Sequence, residues 1–302
     1  MTRLSSDSLL LTGGKRTDDK CCEEMKRALI VGCLLAIVLL ACIWLYCYNR
    51  WSPLWQCETP LPPYEVSHHA DDTLRVAFIG DSWTGLRQPE TDSSLQACLA
   101  MLTGRPVKVR SSGRGGAKSR DIYRFMFDTD GYGTKSLIAD GPDYCVVSAG
   151  INDAAANLGT RQYMHHMQLM TSFLLQRGVC PVVIEAPDVN IWTIYGDKPK
   201  KDLLIDFVKS RMTKVGMYRY ADYREALHAL LTGNSRALLV PMTAWNGRGP
   251  APNADLFLSD SIHLNRQGYV LLDSCIAALI ANDLEKTVDT AMVYNPMGQP
   301  AQ

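Results

Sequence analysis

Residues 28–48, ALIVGCLLAIVLLACIWLYCY, carry no charge over 21 positions. As a helix rising about 1.5 Å per residue, the run reaches about 30 Å, the thickness of a bilayer's hydrocarbon core. A helix buried in a globular core normally keeps a polar stripe. This one is apolar all round, with Trp44, Tyr46, Tyr48 and Trp51 gathered at one end, as aromatic residues gather at a membrane interface. The run reads as a transmembrane helix. Lys15, Arg16, Lys20, Lys26 and Arg27 precede it and only Arg50 follows closely. By the positive-inside rule, residues 1–27 form a cytoplasmic tail and the remainder lies on the periplasmic or extracellular side of a cytoplasmic membrane. A cleaved signal peptide fits less well, because the run is long for one and no A-x-A-like site follows.

A second form of anchoring competes with the helix. Leu39-Leu40-Ala41-Cys42 resembles a bacterial lipoprotein processing box, which would put a lipid on Cys42. Ile43 to Tyr48 are too apolar for the usual tether after such a cysteine, and the retained helix is the better reading. Five cysteines (Cys21, Cys22, Cys33, Cys42, Cys47) lie in or before the run and five (Cys57, Cys98, Cys145, Cys180, Cys275) beyond it. An odd number outside cannot all pair within one chain. Cys145 and Cys275 sit among apolar neighbours, as small core residues do. No C-x-x-C occurs, and no zinc site or other metal is expected.

Over the whole chain, 31 Lys and Arg balance 31 Asp and Glu. This argues against a protein that coats nucleic acid or another polyanion, which needs a surplus of positive charge. With 47% hydrophobic and 21% charged residues, the chain can bury a core and is not a disordered one. Residues 49–72 carry Pro53, Pro60, Pro62 and Pro63 with few aliphatic side chains and read as an extended spacer, with His68 and His69 as a solvated pair in it.

Beyond the spacer, a domain over 73–283 is expected, followed by a tail at 284–302. Its apolar runs Leu74 to Ile79, Val107 to Arg110, Tyr144 to Ser148 and Pro181 to Glu185 read as buried strands. Amphipathic stretches alternate with them. Tyr163, Met167, Met170 and Leu174 recur at helical spacing, as do Tyr269, Leu272, Cys275, Ile276 and Leu279, and both stripes read as core faces. Strands alternating with helices imply an α/β fold with a mainly parallel sheet covered on both faces. Functional residues are then expected at the carboxyl ends of the strands.

The first strand runs straight into Gly80-Asp81-Ser82-Trp83, which presents a serine at such an end. Alone, this is equally a tight turn. A serine hydroxyl becomes a nucleophile only beside an oriented base. Leu258-Ser-Asp260-Ser-Ile-His263-Leu264 offers one: three residues apart, Asp260 can accept from one imidazole nitrogen while the other faces the serine. Other histidines offer less. His165 and His166 lie on an amphipathic helix, and His228 reads as a helix-surface pair with Glu225. Acyl chemistry also needs donors for the developing oxyanion. Two loops could supply them: Ser111-Ser-Gly-Arg-Gly-Gly116-Ala-Lys-Ser119 after the second strand, and Gly150-Ile-Asn152-Asp153 after the third. The glycine loop fails both phosphate-cradle templates, since Lys118 stands where the dinucleotide fingerprint needs glycine, as do Ser112 and Ala117 in the P-loop alignment.

Together these pieces, in this order, resemble the SGNH (GDSL-type) hydrolase family, in a membrane-anchored bacterial member. The resemblance covers the whole domain. It implies Ser82 as nucleophile, His263 as general base and Asp260 as its orienting acid. It also implies an oxyanion hole from the backbone N–H groups of Ser82 and Gly116 and the Asn152 side chain, with Ser119 matching a common hydroxyl position. Two departures stand out. Trp83 replaces the family's usual leucine, which puts pocket shape and acyl preference in question, and Ser111 replaces a frequent asparagine.

The fold so implied is a three-layer, flavodoxin-like α/β/α sandwich behind one transmembrane helix. The implied activity is cofactor-free hydrolysis of a carboxylic ester through an acyl-serine. The anchored position favours O-acetylated envelope or extracellular carbohydrate as substrate. Lysophospholipid hydrolysis, O-acyl transfer to a glycan with the same triad, and a non-catalytic glycan-binding module are the alternatives. Asn190 to Gly196, with Trp192 and Tyr195, reads as a cleft wall, a bilayer contact or simple loop packing, and Lys198, Lys200 and Lys201 as a solvated helix start.

Overall fold

A computed structural model of the chain describes residues 13–51, 58–87, 89–128, 133–233, 236–247 and 249–294. Residues 1–12 of the expected cytoplasmic tail, Pro53, Cys57 and residues 295–302 lie outside the described set. The chain divides into two units, Met1–Leu54 and Trp55–Gln302.

The first unit holds one helix, α1 (Gly13–Trp51), which extends beyond the expected 28–48 at both ends. Its stretch Cys21–Arg50 is long and apolar enough to cross a membrane, and none of it is buried. Trp44 and Tyr48 stack on one face with ring centres 5.4 Å apart.

The second unit is built on five strands: β1 (Leu74–Gly80), β2 (Val107–Gly113), β3 (Tyr144–Ser148), β4 (Cys180–Ile184) and β5 (Leu238–Val240). All four pairings are parallel, in the order β2-β1-β3-β4-β5. Four strands match the expected apolar runs. The fifth is only three residues long, too short for its pattern to stand out. Between the strands lie α2 (Ser82–Gly85), α3 (Pro89–Thr103), α4 (Ser119–Phe125), α5 (Thr134–Ala139), α6 (Ile151–Ala155), α7 (Thr160–Gln176), α8 (Trp192–Tyr195), α9 (Lys200–Thr213) and α10 (Ala221–Thr232). After β5 come α11 (Met242–Trp245), a 3-10 turn (Ala254–Leu256) and α12 (Arg266–Tyr294), which runs past the expected domain end at 283.

Helices pack on both sides of the sheet, α3 against α12 in one group and α7 against α4 and α10 in the other. The stripe Tyr163, Met167, Met170 and Leu174 is fully buried, as are Leu272 and Ile276 of α12. All five residues of β3 are buried, the mark of a central strand covered on both faces.

Residues 58–70 are not a free spacer. They lie without regular structure along the domain, with Val66 buried, the Leu61 N–H donating to the Tyr123 hydroxyl at 2.7 Å and the Ser67 N–H to the Ala139 carbonyl at 3.0 Å. Tyr64 packs on Phe127 and Phe173. His69 is exposed yet donates from Nε2 to the Asp140 carbonyl at 2.5 Å.

Sheet register positions everything that follows. Gly80 at the end of β1 pairs with Gly113 at the end of β2 and with Ser148 at the end of β3. The chain leaves β1 to build β2 on one side and later β3 on the other, so a crevice opens where the order reverses. The three expected loops leave from that edge of the sheet.

Candidate active site

The turn that carries Ser82 is held from below by a buried carboxylate. Asp81 caps α2, its Oδ1 accepting the Trp83 N–H at 3.1 Å and the Ser148 hydroxyl at 3.0 Å. Burial pushes its carboxyl up to about 6 against those hydrogen bonds. Ser82 is thereby fixed as the first residue of α2, where a backbone N–H has no helical acceptor.

Across the crevice, the turn at 258–264 folds on itself. Asp260 Oδ1 accepts the backbone N–H groups of Ile262 and His263, both at 2.9 Å, and Ser261 takes a left-handed φ of 56° between them. Asp260 Oδ2 then accepts His263 Nδ1–H at 2.6 Å, and His263 Nε2 faces Ser82 Oγ at 2.9 Å. Burial alone would raise the Asp260 carboxyl. The hydrogen bonds from His263 and Ile262 outweigh it and hold the group below its ordinary value. With Nδ1–H committed to a carboxylate, Nε2 is the nitrogen free to accept a hydroxyl proton.

The other two loops meet beside Ser82. The Arg114 N–H donates to the Gly80 carbonyl at 3.1 Å, and a Cβ on Gly113 would come within 2.5 Å of the Thr84 Cβ, so only glycine lets β2 close on the turn that carries Ser82. Gly116 turns with φ 76° and has open space where a side chain would point. Ser119 is buried, its N–H and hydroxyl donating to Asp153 at 2.9 and 2.6 Å. Asp153 is buried too, which pushes its carboxyl up to about 6. Asn152 Nδ2 donates one hydrogen to the Ala117 carbonyl at 3.0 Å, which ties the glycine loop to α6. Ser82, His263 and Asp260 are thus in direct contact, while Gly116 and Asn152 lie on loops joined to each other.

Several side chains take places that the sequence did not suggest. The Trp83 ring is buried, edge-on to Trp245 and Phe257, and its indole N–H donates to the Ile262 carbonyl at 2.9 Å. Ser111 donates to Asp92 at 2.6 Å, beside a buried pair in which Arg87 grips Asp273 at 2.8 and 3.1 Å. Lys198 is not a solvated helix start, since its amine binds Asp206 at 2.8 Å and the Tyr218 hydroxyl at 3.2 Å; Lys200 and Lys201 are exposed.

The loop at 190–196 divides: Ile191 is buried, whereas Trp192 is 49% exposed and edge-on to Tyr218. Thr193 Oγ1 reaches the Asp260 carbonyl at 3.5 Å, so this segment borders the His263 turn. His228 pairs not with Glu225 but with Glu185, at 2.9 Å. His166 is buried, with Nδ1–H on the Gln162 carbonyl, and burial lowers its affinity for a proton; His165 donates to the Glu58 carbonyl.

Sequence alone assigns no role to Asp81, Ser148 or Asp153. The only available signal was acidic residues adjoining the proposed nucleophile and donor in otherwise apolar strand ends. Among the described residues, the cysteines are unpaired and no group of three or more His, Cys, Asp or Glu could hold a metal ion.

Comparison with known proteins agrees with this architecture. Residues 78–271 match the model of the GDSL-like lipase/acylhydrolase family, which is more than half of the chain. No curated protein matches the sequence. Among solved structures, a lipase/acylhydrolase from Enterococcus faecalis superposes with a TM-score of 0.53 at 16% identity, over 70% of this chain and 96% of that one. The psychrotrophic esterase EstA from Pseudoalteromonas sp. gives a TM-score of 0.48 at 15% identity, over 71% and 100% of the two chains. A G-D-S-L family lipolytic protein from Desulfitobacterium hafniense gives 0.48 at 16%, over 68% and 98%. The Enterococcus structure shares the fold, and the match over 78–271 establishes that this chain belongs to the GDSL-like lipase/acylhydrolase family and is a carboxylic ester hydrolase.

Proposed function

We propose that Ser82, His263 and Asp260 form the catalytic triad of this hydrolase and that it releases acetyl or other short acyl groups from carbohydrate outside the cell. The observation that carries the triad is the unbroken chain from Asp260 Oδ2 to His263 Nδ1 at 2.6 Å and from His263 Nε2 to Ser82 Oγ at 2.9 Å. Ser82 Oγ attacks the ester carbonyl as His263 Nε2 takes its proton. His263 returns that proton to the leaving alkoxide, and an acyl-serine remains. Water then adds with its proton passing to His263, the Ser82 oxygen leaves as it recovers that proton, and the carboxylic acid departs.

The tetrahedral oxyanion is received by the N–H groups of Ser82 and Gly116 and by the second hydrogen of the Asn152 amide, the first being held by Ala117. Fixing these donors before the reaction is what makes them effective, and the Ser119–Asp153 and Asn152–Ala117 bonds supply that rigidity.

The preference for carbohydrate rests on α1. In this reading the helix is a retained anchor with its N-terminus inside, which puts the domain on the outer side of a cytoplasmic membrane, where envelope and extracellular glycans are within its reach. The test uses the full chain in detergent micelles. Nitrophenyl acetate should be hydrolysed and Ser82→Ala should abolish turnover; a variant that keeps its activity would refute the assigned nucleophile. A panel of acetylated glycans, short-chain esters and lysophospholipids then tests the substrate, and faster turnover of lysophospholipid would overturn the carbohydrate preference.

A further inference from the structure

We infer that Trp83 is a positioning residue that fixes the His263 turn against the nucleophile turn through its indole N–H; this rests on the proposed triad. Ser82 and His263 are 181 residues apart and lie on segments of quite different origin, a strand-to-helix turn and an irregular loop. A proton can pass between them only if their separation is held to a few tenths of an ångström. The loop's own bonds shape it but do not locate it. Leu258 N–H to the His263 carbonyl at 2.7 Å, Ser261 N–H to the Leu258 carbonyl at 2.9 Å and the two amides on Asp260 all lie within the turn.

The bond that joins this turn to the nucleophile's helix runs from Trp83 Nε1, on the residue after Ser82, to the carbonyl of Ile262, the residue before His263, at 2.9 Å. Both residues are buried, so water does not compete for the bond. The donor is itself braced. Asp81 accepts the Trp83 backbone N–H, the Tyr269 hydroxyl donates to the Trp83 carbonyl at 2.8 Å, and Trp245 and Phe257 meet the ring edge-on. Each member of the Ser82–His263 pair is thus one residue from the same cross-link. Leucine at 83 fills space but has no donor, so the turn here depends on a bond that an aliphatic residue could not make.

The bond also locks a strained element. Ser261 sits at a left-handed φ of 56°, which a residue with a side chain adopts at a cost, and the neighbouring Ile262 carbonyl is the atom that Trp83 holds. Without that hold, the turn can relax and swing His263 Nε2 away from Ser82 Oγ.

The test deletes the N–H and keeps the shape. Trp83→Phe, and the sulfur isostere benzothienylalanine introduced at position 83, are compared with the parent full chain in detergent, on nitrophenyl acetate and in inactivation by a serine-directed phosphonate. For both variants kcat should fall about ten- to a hundred-fold, with KM within about two-fold, and phosphonate inactivation should slow by the same factor as kcat. The isostere preserves packing, so it decides the matter where Trp83→Phe fails to fold. Full kcat in the isostere, or a loss confined to KM, would overturn the inference. Ser82→Ala run alongside separates the two readings: an active Ser82→Ala removes the triad itself, whereas an inactive Ser82→Ala beside a fully active isostere removes only the role of Trp83.

Discussion

Two histidine–carboxylate pairs among the described residues, both within hydrogen-bond distance, make an instructive contrast, because in one of them the histidine also reaches a serine hydroxyl. In the first, Asp260 and His263 come from one turn, three residues apart, and the carboxylate takes Nδ1 at 2.6 Å so that Nε2 is left for Ser82. In the second, Glu185 follows β4 and His228 belongs to α10, and Nε2 itself is spent on Glu185 at 2.9 Å. The buried Glu185 carboxylate also accepts the Met242 N–H at 2.8 Å and lies 3.7 Å from Arg224, which pairs with Asp188 in turn. In the proposed triad, the first pair orients a base. The second closes a joint between β4, α10 and the start of α11. The same two residue types therefore do different work, according to which imidazole nitrogen the carboxylate occupies.

The sharpest way to break this contrast is to remove each imidazole in turn. His263→Ala should lower kcat on nitrophenyl acetate by about a thousand-fold or more, since a serine without its base is close to inert. His228→Ala should leave kcat within about two-fold and lower the melting temperature by a few degrees. Equal losses in the two variants would show that the pairs had been misassigned.

The carboxylates give the next largest separation. Asp260→Asn keeps the shape of the turn, but its amide cannot hold His263 in the tautomer that leaves Nε2 as acceptor, so kcat should fall by about a hundred- to ten-thousand-fold in steady-state assays. Glu185→Gln should keep activity and cost about 1–2 kcal/mol in chemical denaturation, because a charged acceptor for the His228 and Met242 donors becomes a neutral one. Loss of turnover in Glu185→Gln at unchanged stability would move the second pair into the reaction.

The two pairs also differ in how far sequence could reveal them. Asp260 and His263 share one short turn, so their spacing alone suggested a partnership, and the resemblance then supplied Ser82 from the far end of the chain. Glu185 and His228 are 43 residues apart on a strand end and a helix, and nothing local links them; the nearer Glu225 was the natural but mistaken partner.

The fold divides in the same way. Apolar runs such as Tyr144–Ser148 announced four strands, because burial on both faces leaves a continuous hydrophobic signature. Leu238–Val240 is too short to leave one. Residues 58–70 looked like a spacer because proline sets an extended backbone. They are docked by the buried Val66, the Tyr64 ring and hydrogen bonds to the Tyr123 hydroxyl and the Ala139 carbonyl, scattered contacts that have no periodicity to read. Trp83 was visible as a departure, yet its meaning depended on a carbonyl at position 262 that only the folded chain brings near.

The smallest effect sharpens the comparison through acid stability. The Asp260 carboxyl is held below its ordinary value by donors that exist only in the folded turn. As pH falls toward that ordinary value, 3.8, the unfolded chain takes up a proton at this position before the folded chain does, and protonation therefore favours unfolding. The stability that Asp260 contributes is fully present above the unfolded value and is lost as pH falls through the lower folded one. Asp260→Asn has no proton to bind there. Between about pH 5 and pH 3 the parent's melting temperature should therefore fall more steeply than that of Asp260→Asn. The difference should amount to a few degrees at most, because Asp260 is partly exposed and solvent screens its interactions. Parallel curves throughout would mean that the turn's amides and imidazole do not favour the charged carboxylate, and that His263 is oriented by something other than Asp260.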